Sequence, residues 1–241
     1  VLAAGVQAQA DAAGTAADVD VQAWFVSPLV RVWPDSIPGE GAAPEIRAEG
    51  ARAEVVSASL AVRSRKDIKV IVRAGDLSGP EGARMPSSAV RLQWQRRISL
   101  TRNTPATPPE ELDRAAPCEV PDPFWEGAER EVKSGRTEGV WIEIHVPRDA
   151  AAGKWAGSVS LEWEGGKTEA PLELTVWGFE VPEKRHLHVT QWFTFPGIPF
   201  EGSVERFSER WWSLLEKFAR VIADHRQDTF QAPFHLIRMR R

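Results

Sequence analysis

Six segments of this chain alternate apolar and polar residues with a period of two, and that pattern restricts the fold more than any other feature. Val56, Ala58, Leu60 and Val62 alternate with Ser57, Ser59 and Ala61, and Ile68, Val70 and Val72 with Asp67, Lys69 and Arg73. Val90, Leu92 and Trp94 alternate with Arg91, Gln93 and Gln95, and Val140, Ile142, Ile144 and Val146 with Trp141, Glu143 and His145. Val159, Leu161 and Trp163 alternate with Ser158, Ser160 and Glu162, and Leu172, Leu174 and Val176 complete the set. Successive side chains of a strand point to opposite faces, so each segment reads as a strand with one face in a core and one in water. The run Glu164-Gly165-Gly166-Lys167 between the last two predicts a hairpin whose two central glycines supply positive φ angles.

Short alternating strands joined by Pro- and Gly-rich turns, with no helical period among them, imply two antiparallel sheets packed face to face. Residues 21–182 are therefore expected to form an antiparallel, immunoglobulin-like β-sandwich in a mainly β protein. Thr101 to Gly135 carries several prolines and many charges, and reads as a long excursion rather than a pair of strands. After Val181-Pro182 the pattern changes. His186 to Phe193 is strand-like, Ser203 to Asp224 has helical periodicity, and Thr229 to Ile237 is apolar and extended, which together predict a βαβ unit over residues 183–241. In the helix, Phe207, Trp211, Leu214, Leu215, Phe218, Val221 and Ile222 form one apolar stripe, Ser203 is the expected N-cap, and Glu216 and Arg220 form an i,i+4 pair.

Residues 1–10 are small and apolar and end Ala8-Gln9-Ala10, which fits the end of a secretory signal, and Ala-, Gly- and Asp-rich residues 11–20 read as a flexible linker. A secreted or periplasmic location follows as an expectation. Cys118 is the single cysteine, so no internal disulfide is available and packing must hold the fold. Thirty Lys and Arg against 34 Asp and Glu give a formal charge of -4 with no long basic run. Neither a nucleic-acid partner nor an anionic membrane has electrostatic support.

Particular stretches resemble a known family. Ala51-Arg52-Ala53-Glu54-Val55-Val56, then Val140 to Ala150 with its Val146-Pro147-Arg148-Asp149 turn, then Gly153-Lys154-Trp155-Ala156-Gly157 resemble the N-terminal sandwich of glycoside hydrolase family 123. Leu174 to Pro182 is similar to that family's last sandwich strand and exit, His188 to Phe193 to its first barrel strand, and Ala223 to Gln227 to the end of its first barrel helix. Trp155 stands where Tyr is usual and Asp228 where Asn is usual. The resemblance implies a C-terminal (β/α)8 barrel in which an adjacent Asp-Glu pair helps the substrate's own acetamido group act as nucleophile, and so implies N-acetylhexosamine-containing glycans as substrate. No Asp-Glu or Glu-Asp dipeptide occurs in the 241 residues. The expectation is an exported hydrolase's N-terminal portion with the start of a truncated barrel, inactive alone and without catalytic residues of its own.

Gln191, Trp192, Phe193 and Phe195 end the expected first barrel strand, whose carboxyl end faces the active site, and are the candidate substrate-binding residues. His186 and His188, two apart on a strand, would project to one side, but a third metal ligand at fitting spacing is missing, and no metal or cofactor is assigned. Trp141 and Trp177 fall on outward registers. They leave open a second reading, a non-catalytic carbohydrate-binding sandwich, unless the Thr101 to Gly135 segment or the barrel covers them. An adhesion or scaffolding module is a third reading that a sandwich alone neither favours nor opposes. A carbohydrate is thus the expected partner; the oligomeric state stays open.

Overall fold

The computed structural model describes residues 21–125, 127–189, 204–205 and 207–228. The chain divides into two units after Val181. The first is built of twelve strands among the described residues: β1 (Val21–Val26), β2 (Ile46–Arg52), β3 (Val55–Ser64), β4 (Ile68–Ala74), β5 (Leu77–Ser78), β6 (Arg84–Met85), β7 (Val90–Leu100), β8 (Cys118–Trp125), β9 (Glu129–Val132), β10 (Thr137–His145), β11 (Gly153–Trp163) and β12 (Gly166–Glu180). One sheet has the order β1, β3, β10, β7, β8; the other runs β2, β12, β11, β4, β9, with β5 and β6 attached through β11. The protein is mainly β, as its periodicity requires.

All six alternating segments are strands, and their apolar positions meet in one core. Val56, Leu60 and Val62 of β3, Val140, Ile142 and Ile144 of β10, and Trp94 of β7 come from the first sheet. Val70 and Val72 of β4, Val159 and Leu161 of β11, and Leu172 and Leu174 of β12 come from the second. A Leu, Ile or Val side chain fully withdrawn from water contributes roughly 1.5–3 kcal/mol, so this shared interior is the main support of a unit without a disulfide.

Besides a single parallel bridge between Ser64 and Ser134, pairing among the described strands departs from the expected all-antiparallel arrangement where β2 runs parallel to β12, Ile46 opposite Leu172 and Gly50 opposite Val176. Parallel partners need a long connection, and here the whole of β3 to β11 lies between them. The hairpin between β11 and β12 also differs in detail. Trp163 pairs with Gly166, so the loop is Glu164-Gly165, and of the two glycines Gly165 alone has positive φ, +85°. Gly166 is needed for space instead: a Cβ there would sit 2.7 Å from the Trp163 indole.

Thr101 to Gly135 is not a strandless excursion. β8 pairs antiparallel with β7, and β9 with β4, each at the edge of its sheet. Pro121 and Pro123 lie in β8, where an edge position tolerates the missing backbone donors that an interior strand would not. At one end of the core a buried ion cluster spans the two sheets. The Glu138 carboxylate of β10, 3% exposed, accepts from Arg97 of β7 at 2.8 Å and from Arg130 of β9 at 3.3 Å.

The outer faces of the two sheets differ. That of the second is a solvated ladder of cross-strand ion pairs, Arg73 with Glu162 at 2.6 Å, Lys154 with Glu173 at 3.0 Å and Lys69 with Glu129 at 3.1 Å. That of the first is partly covered by the β1–β2 connection. Val32 packs on Trp24 and Ala61, while buried Thr137 donates its hydroxyl to the Ser36 carbonyl at 2.6 Å and its N–H to that of Pro34 at 2.9 Å.

In the second unit the described residues contain α1 (Glu209–Asp224). It begins later than its periodicity predicts, because Phe207 has φ +66° and stands outside the helix. Ser208 rather than Ser203 is the cap, its Oγ accepting from Trp211 N–H at 3.2 Å. Glu216 and Arg220 pair at 2.6 Å as expected. His186 to Val189 is not a strand, and residues 190–203 and 229–241, which carry the rest of the expected βαβ unit, lie outside the described residues.

Candidate functional site

An aromatic pair lies on the first sheet's outer face, and strand register builds it. Trp141 of β10 is opposite Gln93 of β7, and Gln95 of β7 is opposite Phe124 of β8. Because alternate residues share a face, Gln93, Gln95, Trp141 and Phe124 all point outward, away from Trp94 and Ile142 in the core. The Phe124 and Trp141 rings stack across β7 with centroids 5.5 Å apart. Phe124 is 41% exposed, whereas Gln93 is only 5% exposed. The Gln95 side chain lies over Gly139, where a Cβ would come within 2.2 Å of its Oε1. That Oε1 is buried without a hydrogen-bond partner.

Just beyond the rings, Glu143 of β10 faces Arg91 of β7 in register and lies 3.8 Å from its guanidinium. The centre of the strip is thus aromatic and amide, with opposite charges at its rim. What this surface presents to solvent is chiefly the Phe124 ring, while the Gln93 side chain and the Gln95 Oε1 are withdrawn beneath it. It contains no nucleophile.

Trp141 and Trp177 do not form one platform. Trp141 belongs to the first sheet and Trp177 to β12 of the second, where it is 41% exposed and packs on Phe179, centroids 5.5 Å apart. Cover from the Thr101 to Gly135 segment reaches Trp141 through Phe124 and leaves it half-buried. Phe124 escaped the sequence reading because it sits in a proline-rich stretch. The available signal was the extended conformation that prolines impose on Val120 to Phe124.

The substrate-binding candidates Gln191, Trp192, Phe193 and Phe195 lie outside the described residues. Of the two histidines, His188 is held by Asp228, Nδ1 to Oδ2 at 2.8 Å, and the same carboxylate accepts from Val189 N–H at 3.1 Å. Asp228 thereby has a positional role that the sequence did not suggest. Among the described residues no group of three His, Cys, Asp or Glu side chains is placed to hold a metal ion. A groove of about 750 Å³ in the second unit is lined by Arg185, Trp212, Leu215, Ile222, Gln227 and Asp228. Arg185 is occupied there with the end of α1, donating to the Ala223 carbonyl at 2.7 Å and the Gln227 carbonyl at 3.2 Å.

Among the described residues, carboxylates with displaced pKa values are all pushed down. The Arg114 guanidinium holds Asp35 below the usual range and Arg136 does so for Glu119; the Ser134 N–H and then Lys133 lower Asp67, and the Ser87 N–H and then Arg84 lower Asp76. A general acid for glycosidic cleavage needs the opposite displacement. These four carboxylates are structural ion-pair partners.

Residues 38–163 match the family model described as the glycoside hydrolase 123 N-terminal domain. The chain is similar in fold to a family 123 glycoside hydrolase from Clostridium perfringens, a structure concerned with glycolipid glycan hydrolysis, at 13% identity and a TM-score of 0.57. That likeness covers 67% of this chain and 28% of the other, so the chain matches well under half of that enzyme's length. Weaker likenesses, such as the CooA pilin subunit of enterotoxigenic Escherichia coli (13% identity, 62% of this chain, 99% of that one, TM-score 0.33), carry no argument. No curated protein matches the chain in sequence.

Proposed function

The chain belongs to the glycoside hydrolase 123 N-terminal domain family, and from that membership we propose that it is the N-terminal portion of a hydrolase acting on N-acetylhexosamine-containing glycans. The observation that carries the reading is the family match over residues 38–163 on a two-sheet unit similar in fold to the C. perfringens enzyme. In this reading residues 21–182 are an immunoglobulin-like sandwich that supports catalysis without performing it, and residues 183–241 are the first βαβ of a barrel. Gln191, Trp192, Phe193 and Phe195 would then border the sugar site. Two further features support a non-catalytic role for this stretch: it has no adjacent Asp-Glu pair, and its perturbed carboxylates are pushed down rather than up. The small apolar residues 1–10 support export to the periplasm or the medium.

An assay against nitrophenyl N-acetylhexosaminides tests the reading. The 241 residues alone should give no turnover, and the protein expressed together with the reading frame downstream of Arg241 should release nitrophenol. Hydrolysis by the 241 residues would overturn the non-catalytic role. An inert extended protein, folded by circular dichroism, would overturn the hydrolase assignment.

A further inference from the structure

Strands β1, β8, β2 and β9 end the two sheets, and all but one of these edges are blunted against further pairing. β1 has its Phe25 N–H bonded to the Ala43 carbonyl at 2.8 Å, and β8 carries Pro121 and Pro123, which have no backbone donor to offer. On β9, Glu129 and Glu131 flank Arg130, so a second β9 laid antiparallel about Arg130 would set glutamate against glutamate. β2 has none of these devices. We propose that the free edge of β2 is a self-association edge, at which a second copy of this chain adds its own β2 antiparallel, with Arg47 of each copy opposite Glu49 of the other.

The hydrogen-bonding phase of β2 locates the contact. Each strand residue directs its N–H and C=O to the same side, and the next residue directs them to the other. The Arg52 carbonyl accepts from Val181 N–H at 2.9 Å, on the β12 side, whereas Ala51 N–H turns the opposite way to the Glu54 carboxylate at 2.7 Å. By the same alternation Arg47 and Glu49 direct their main-chain groups to the open side, where among the described residues nothing bonds them. Their side chains are exposed on the outer face, with Ile46 and Gly50 buried on the inner one.

Charge then selects the register and the occupant. Residues opposite each other in an antiparallel pair share a face, so a two-fold axis normal to the sheet must pass through a residue. Centred on Arg47 or on Glu49, it would oppose like charges. Centred on Ile46, it would bring Glu49 of the second copy to Ala43, whose carbonyl already holds β1. Centred on Ala48, it lets Arg47 and Glu49 of the two copies exchange both main-chain bonds, with opposite charges side by side. The residue on the axis belongs to a close pair, with Cα atoms ~4.5 Å apart, and alanine is small enough for it. A foreign strand would have to supply the inverse order of charges, whereas a second copy has it by symmetry. Arg47 now pairs with Glu45 at 2.8 Å, both exposed, so in the dimer its guanidinium exchanges one solvated carboxylate for another.

Sedimentation velocity of the 241-residue chain over a rising concentration series tests the proposal. One short strand pair buries less than the ~1,200 Å² of a stable complex, so a weak dimer is expected toward the top of the series. Arg47→Glu and Glu49→Arg should each lower the association constant roughly tenfold, because each sets like charges against each other on both sides of the axis. An equimolar mixture of the two variants should recover association as a heterodimer, and the double exchange Arg47→Glu/Glu49→Arg should self-associate as the parent does. Glu131→Lys on β9 should change nothing. If a variant loses its far-ultraviolet dichroism, amide exchange of the parent gives the answer instead: the Arg47 and Glu49 N–H groups should be protected as concentration rises. A parent chain that is monomeric throughout the series would overturn the proposal. So would a dimer indifferent to Glu49→Arg, a mixture that fails to recover association, or exchange at Arg47 and Glu49 that ignores concentration. None of these outcomes depends on the hydrolase assignment.

Discussion

Two regions of this chain carry apolar faces of similar clarity and shelter them very differently. In the two-sheet unit, alternate residues of β3, β10, β11 and β12 are almost wholly withdrawn from water because each sheet covers the other. In α1 the stripe is just as regular, yet Trp211 is its one buried member among the described residues, and Val221 is 54% exposed. An amphipathic pattern states what an element requires of its neighbours, not that the requirement is met. Since isolated helices of this length are marginal, α1 depends on packing more than on its own hydrogen bonds. The sheets carry their cover with them.

The sharpest way to break this contrast is at the ion cluster that closes the core. Glu138→Ala leaves the Arg97 and Arg130 guanidiniums without a counter-charge at a buried position, and removing one partner of a buried pair costs about 3–5 kcal/mol. The urea midpoint of the two-sheet unit should fall accordingly; an unchanged midpoint would mean that the cluster does not tie the sheets together. A smaller loss is expected from Gly166→Ala, where the new methyl meets the Trp163 indole and overpacking costs roughly 1–3 kcal/mol. Differential scanning calorimetry would register it.

Ser208→Ala tests the other side of the comparison. Loss of the cap should destabilise α1 by about 1 kcal/mol, lowering ellipticity at 222 nm while the two-sheet transition stays in place. An equal shift in both transitions would show that the helix and the sheets unfold as one. The smallest effect is expected from acid. Asp67 has a folded-state pKa below its unfolded one, held there by the Ser134 N–H and Lys133, so its stabilisation is complete above the usual carboxylate range and is lost as pH falls through the lowered value. The stability gap between the parent chain and Asp67→Asn should therefore close in acid melts and persist at neutral pH. A gap independent of pH would remove the carboxylate from the account.

What was legible before the structure divides along the same physical line. Leu60, Ile142, Leu161 and Leu174 were readable as core because inward and outward residues alternate within a single strand. Neither β8 nor β9 was legible, because prolines and charges mask a short edge strand, and an edge strand needs only one hydrogen-bonding partner. The helix start was displaced from the expected Ser203 because Phe207, with its positive φ, stands outside the helix and leaves the cap to Ser208. The proposed sugar contacts Gln191, Trp192, Phe193 and Phe195 remain sequence-based, whereas the Phe124 and Trp141 pair emerged only from the fold.

The sequence by itself determined that six segments are strands and which side of each is apolar, since both follow from spacing along a few neighbouring residues. Only the tertiary structure decided that β2 pairs parallel with β12, that Glu138 bridges two sheets, and that β8 docks on β7 in the register that carries Phe124 to Trp141. A period of two names the face a residue occupies but carries no information about the partner strand. That choice depends on which edges remain open once the whole core has been enclosed.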